Sequence, residues 1–224
     1  SQTGLKYLIK ANFPDKEVYS VGDDPARYGF IEGCTMDAVS DDMYAGALAV
    51  ILDCGGASLI SDTRYSLAKT TVRLDHHLFT GRIADTEVIR PEYESCCGIV
   101  TALAMEAGFT LDKTTAKALF TGMVTDSGRF RYESVTGETL RLAAMLMDMG
   151  IDLERLYANL YLSEYEELKY HSFVLNKMRL TKNGVAHFYI SLDAQKKFGL
   201  TAEQACEAVS YLGGLKGSII WLAF

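Results

Sequence analysis

Two of the four histidines in the chain stand side by side behind an acid, as Asp75-His76-His77 at the end of the run Val72-Arg73-Leu74. Three adjacent groups able to meet a metal or a phosphate, placed where an apolar strand should end, are hard to account for as packing. Two further acids, Asp53 and Asp126, also close apolar runs. Hydrolysis of a phosphate ester needs an activated water, charge neutralisation at phosphorus and help for the leaving oxygen. A pair of divalent ions about 4 Å apart supplies all three. Carboxylates mixed with imidazole favour manganese or magnesium over a thiolate-type zinc site. Asp53, His76 and Asp126 carry suitable atoms, provided the fold brings them together. Each has a bland reading in isolation: a turn residue for Asp53, a solvated loop for the histidines, a helix terminus for Asp126.

The elements that must position these groups alternate. Residues 3–11 predict a helix and Glu17 to Val21 a short strand. Ala45 to Asp53 is continuously apolar, as expected for a strand buried on both faces of a parallel sheet. Thr70 to Leu74 predicts a second, β-branched strand. Helical patterns follow over 95–107, 113–125 (with Asp112 as cap), 137–149, 153–162 and 164–179. Strand–helix alternation predicts an α/β domain on a mainly parallel sheet flanked by helices. In such sheets ligands sit beyond the carboxyl ends of the strands, which is where Asp53 and Asp75 fall. Lys182-Asn183-Gly184 is a turn signal. After it come an alternating strand over 185–192, a helix over 201–211 and a final strand-like run to Phe224. These predict a partial, smaller α/β domain, with the division 1–162, a helical linker 163–181, and 182–224.

Composition narrows the classes. With 224 residues, 49% of them hydrophobic, and three prolines, the chain can bury a full core. A formal charge of −7 argues against a broad footprint on long duplex nucleic acid. The five cysteines show neither Cys-x-x-Cys spacing nor an even count, which predicts free thiols in a reducing cytoplasm. No apolar run reaches membrane-spanning length. Both ends read as interior sequence: a helix is under way at Ser1, and a strand stops at Phe224. Oligomeric state stays open, a homodimer included.

In order, Asp53, Asp75-His76-His77 and Thr125-Asp126-Ser127-Gly128-Arg129-Phe130-Arg131-Tyr132 resemble the DHH phosphoesterase superfamily. Within it the likeness is to the RecJ-like group of nanoRNA/oligoribonucleases with 3′-phosphoadenosine 5′-phosphate phosphatase activity. The resemblance spans nearly the whole chain. It implies a manganese-dependent phosphoesterase acting on short single-stranded oligonucleotides or small nucleotides. By that likeness Asp53 bridges two Mn2+ ions, and His76 and Asp126 complete the second ion's shell. Asp75 orients an imidazole, and His77 lies near the scissile phosphate. Two family features are missing. The opening His-x-x-Pro-Asp-x-Asp-x-x-Gly-Ser motif is absent, with Ser1 readable as its last residue, and no histidine follows Gly213-Gly214 in the partial DHH-associated substrate domain. Inorganic pyrophosphatases, cyclic-dinucleotide phosphodiesterases and processive single-strand exonucleases share the metal motif. A non-catalytic nucleotide-binding module is the rival of another class.

Arg129 and Arg131 flank Phe130 just after Asp126. Arginine suits bidentate phosphate contacts, which marks both as substrate-binding candidates. The bland alternative is a strand whose alternate residues are solvated. Ser95-Cys96-Cys97-Gly98 predicts an ordinary helix start. His171 and His187 are expected to be structural or surface residues, Trp221 core, and Met145, Met147 and Met149 adaptable core packing.

Overall fold

The computed structural model describes residues 1–224, apart from the side chain of Ala26. It divides into two compact units, Ser1–Asn159 and Leu160–Phe224. The larger unit holds a three-stranded parallel sheet in the order β1-β2-β3, built from β1 (Leu48–Leu52), β2 (Thr70–Asp75) and β3 (Thr86–Ile89). Around it stand α1 (Gln2–Asn12), α2 (Cys96–Glu106), α3 (Lys113–Asp126) and α4 (Gly137–Asp148), and α5 (Leu153–Tyr161) carries the chain across the boundary.

The helix starts follow ordinary capping chemistry. The Ser95 side chain accepts from Gly98 N at the head of α2, and Asp112 accepts from Thr115 N at the head of α3. Each satisfies a backbone donor that has no partner within its helix. Between α2 and α3 the core is dense: Ile99, Val100, Leu119, Phe120, Met123 and Val124 are all buried. The approach is close enough that a Cβ on Gly122 would lie 2.1 Å from Cys97 Sγ. That closeness holds the end of α3, and with it Asp126, against the α2 start.

Several local expectations change in three dimensions. Central β2 is the buried strand, whereas β1 runs along one edge of the described sheet and leaves Leu48 59% exposed. The apolar run at 45–53 therefore reflects partial cover, not burial on both faces. Glu17–Val21 forms no strand. Ser20 is instead satisfied by one residue, Asp37, whose side chain accepts from Ser20 N and whose N–H donates to Ser20 O. In α4, Leu142, Ala143 and Leu146 face the core, while Met147 and Met149 are exposed. Spacing of two in a helix turns successive side chains by about 200°, so those methionines cannot share one buried face.

The smaller unit carries α6 (Tyr165–Lys177), β4 (Arg179–Leu180), β5 (Val185–Phe188), α7 (Leu192–Phe198), α8 (Ala202–Glu207) and β6 (Ile220–Ala223). Its sheet has the order β4-β5-β6, antiparallel then parallel. Its core joins Tyr170 and Val174 of α6 to Ala186, Phe188, Ala205 and Leu212. The segment expected as a linker thus contributes a helix to this core. Trp221, expected in the core, is 43% exposed, because among the described residues β6 pairs with β5 alone. No helix of the described residues is long and apolar enough to cross a membrane.

Candidate metal centre

Parallel pairing sets the carboxyl ends of β1 and β2 side by side, with Leu52 opposite Leu74. The ladder runs one residue further, Asp53 N donating to Leu74 O at 3.0 Å. There the chain turns sharply: Asp53 has φ 61°, a left-handed conformation that aspartate tolerates better than most residues. The Asp53 carboxylate meets the triplet at the end of β2, Oδ1 lying 3.3 Å from His76 Nε2. From the other side the last residue of α3 arrives, with Asp126 Oδ2 3.1 Å from the same Nε2. Asp53, His76 and His77 each also present a ligand-type atom, all within 4.8 Å of one another.

These contacts dominate the electrostatics. Hydrogen bonding to Asp126, then to Asp53, pushes the His76 imidazole up to about 10 against the desolvation that opposes it. The cleft therefore favours a positive charge between two carboxylates. Two acids and an imidazole are a donor set suited to a hard or borderline divalent ion. Both acids remain over a third exposed, so such an ion can reach them.

The neighbouring acid is arranged differently. Asp75 is fully buried; its Oδ1 accepts from His77 N at 3.1 Å and lies 2.7 Å from His77 Nδ1, while Oδ2 lies 2.6 Å from Arg73 Nη2. Burial alone would raise its carboxyl, but the hydrogen bonds from His77 and Arg73 outweigh it and hold the group below its ordinary range. Arg73 was not among the residues singled out by sequence. The available signal was a charge inside an otherwise apolar strand, two residues before Asp75 and so on the same face. Beneath the site, Cys96 Sγ donates to Leu74 O at 3.2 Å. Burial pushes the Cys96 and Cys97 thiols up, so they serve as neutral packing.

Beyond Asp126 the alternating-strand reading fails. Gly128, Arg129 and Phe130 have φ of 57°, 65° and 59°, three left-handed residues in succession. Such a conformation costs about 1–2 kcal/mol for each residue other than glycine. Buried Ser127 stabilises the turn, its Oγ donating to Met123 O and accepting from Phe130 N at 2.9 Å. Arg129 and Arg131 are exposed on this turn, and Arg131 Nε donates to Gly128 O at 2.8 Å. Asp53, His76, His77 and Asp126 are thus brought together, with both arginines on the turn that leaves Asp126. Elsewhere His171 stacks on Tyr211 at 3.8 Å, a structural use.

No protein-family model matches the chain. The Bacillus subtilis protein named bifunctional oligoribonuclease and PAP phosphatase NrnA is 28% identical over 227 residues, covering 100% of this chain and 72% of that protein. The Mycoplasma genitalium protein of the same name is 30% identical over 228 residues, covering 100% of this chain and 71% of that protein. The chain belongs to this family of DHH phosphoesterases. The crystal structure of an exopolyphosphatase-related protein from Bacteroides fragilis has the same fold, with a TM-score of 0.86 at 23% identity. That match covers 96% of this chain and 67% of the other. The DHH chain is accordingly a phosphoesterase enzyme of α/β architecture.

Proposed function

We propose that this DHH phosphoesterase hydrolyses short oligonucleotides or small nucleotides such as 3′-phosphoadenosine 5′-phosphate, with manganese held by Asp53, His76 and Asp126. The observation that carries the reading is the convergence of both carboxylates on His76 Nε2, at 3.3 and 3.1 Å. The names of the relatives, which pair oligoribonuclease with PAP phosphatase activity, support the substrate class.

A divalent ion at such a site supplies Lewis-acid activation of water and neutralises charge at phosphorus. The residues of the chain do the rest. Asp53 and Asp126 provide anionic oxygens, and His76 provides a neutral imidazole once its proton has left. Asp75 holds His77 through Nδ1, and in the doubly protonated ring Nε2–H can donate to a phosphate oxygen as charge develops there. Arg129 and Arg131 bind the anionic ends of the substrate. The smaller unit serves as part of a DHH-associated substrate-binding domain.

The test is manganese-dependent hydrolysis of a dinucleotide. His76→Ala and Asp126→Ala should each lower turnover by about a hundredfold or more. Near-normal turnover in both variants overturns the assignment.

A further inference from the structure

Arg73 lies in the middle of β2 with no exposed side-chain surface, and it places two N–H groups on a single oxygen of Asp75: Nη2 at 2.6 Å and Nε at 3.2 Å from Oδ2. The other oxygen is taken twice by His77, through the backbone N at 3.1 Å and Nδ1 at 2.7 Å. An ionised carboxylate offers about four lone-pair directions. Four groups already occupy those of Asp75, so it has none left for a cation. The remaining guanidinium nitrogen, Nη1, reaches Glu87 Oε2 and Gly81 O, each at 3.3 Å. Glu87 in turn accepts from Ile83 N and Ala84 N through its other oxygen. One buried side chain therefore ties the strand that ends in the triplet to the loop that leaves it.

We propose that Arg73 is a positioning residue for His77, acting through Asp75: by occupying Oδ2 it aims Oδ1 at Nδ1, which fixes the ring and its proton and leaves Nε2 for the substrate phosphate. The fork of a guanidinium sets the plane of a carboxylate, which the point charge of a lysine does not. A carboxylate released from that fork rotates about a broad, two-fold torsion, and His77 loses its fixed partner. Because the carboxylate only accepts, the neutral ring must carry its hydrogen on Nδ1. The consequence for turnover rests on the phosphoesterase reading; the geometry does not.

The experiment uses the full chain. Nitrogen-15 NMR of the His77 ring, without metal and in the neutral form, should show Nδ1 protonated and Nε2 bare. In Arg73→Lys the two tautomers should mix. Turnover of a diadenylate dinucleotide with manganese should fall roughly tenfold in kcat, with KM and manganese affinity changed less than about threefold. Where Arg73→Lys folds poorly, the double variant Arg73→Gln/Glu87→Gln, which removes the buried Arg73 charge together with the opposite charge of its partly buried partner, should show the same mixing. A proton on Nε2 in the unmutated chain overturns the proposal, as does a native tautomer in the folded variant. Absence of turnover in the unmutated chain instead overturns the functional reading, and the tautomer result still decides the role of Arg73.

Discussion

Arg73 and Asp75 stand two residues apart on one face of β2, neither with exposed side-chain surface, Nη2 2.6 Å from Oδ2. Alternate residues of a strand point the same way, so local geometry builds the pair and the sheet merely buries it. Removing one member leaves a buried charge with only its weaker partners, Glu87 and Gly81 in the case of Arg73, and breaking a buried pair costs up to about 3–5 kcal/mol. Asp75→Leu should destabilise the chain by that order in urea unfolding. Combining it with Arg73→Met should cost less than the sum of the single losses. Simple additivity would show that the two charges do not compensate each other.

Metal binding should release a proton. His76 is held near 10 by Asp126 and Asp53, so at about pH 7 the metal-free site carries an imidazolium that an entering cation must deprotonate. Apparent manganese affinity should therefore rise with pH until that value is approached. Calorimetry in two buffers of different ionisation enthalpy should report release of roughly one proton per ion bound between Asp53 and Asp126. Enthalpies that do not depend on the buffer would refute this.

Acid should weaken the larger unit at Asp62. Hydrogen bonds from Arg64 lead in lowering its carboxyl from 3.8 to about 2, with Tyr44 contributing at 2.9 Å. A depressed folded value means the contribution is complete above 3.8 and is lost as pH falls toward 2. Arg64 is partly solvated, so screening leaves about 1 kcal/mol. Asp62→Asn should cost about that much at about pH 6, and the gap from the unmutated chain should shrink to about a third of that at about pH 2.5. A gap of constant size across that range would assign the effect to something other than ionisation.

Gly122→Ala should loosen the helix pair that carries Asp126. Its Cβ would meet Cys97 Sγ at 2.1 Å, and Cys97 is buried, so neither helix can yield freely. Overpacking of this kind costs typically about 1–3 kcal/mol. At about 2–4 °C per kcal/mol for a chain of this size, the melting temperature should fall by several degrees. Restoration by the compensating change Cys97→Ser or Cys97→Ala would locate the clash; an unshifted melting temperature would contradict it.

Much of the fold was legible because it rests on local pattern. Capping residues Ser95 and Asp112 and the stop at Gly108 delimit α2 and α3 to within a residue or two. Glu17–Val21 misled because strand propensity is empty without a partner strand. β3 escaped notice because its four residues gain their identity only from pairing with β2. The turn at Gly128–Phe130 hid behind an alternating texture, since nothing in the residue types announces two non-glycine residues in the left-handed region.

By itself the sequence determined the chemistry available: two acids and a histidine pair at the ends of apolar runs, in an order that resembles one phosphoesterase family. Only the tertiary structure decided which atoms meet. Parallel pairing of β1 with β2, and the end of α3 docking beside them, set Asp53 and Asp126 within 3.3 and 3.1 Å of one imidazole nitrogen. The same burial turned Arg73 from an anomaly in an apolar strand into the brace of Asp75. The reason is physical: side-chain type follows from composition, but a charge acquires its partner, and its cost, only when water is excluded around it.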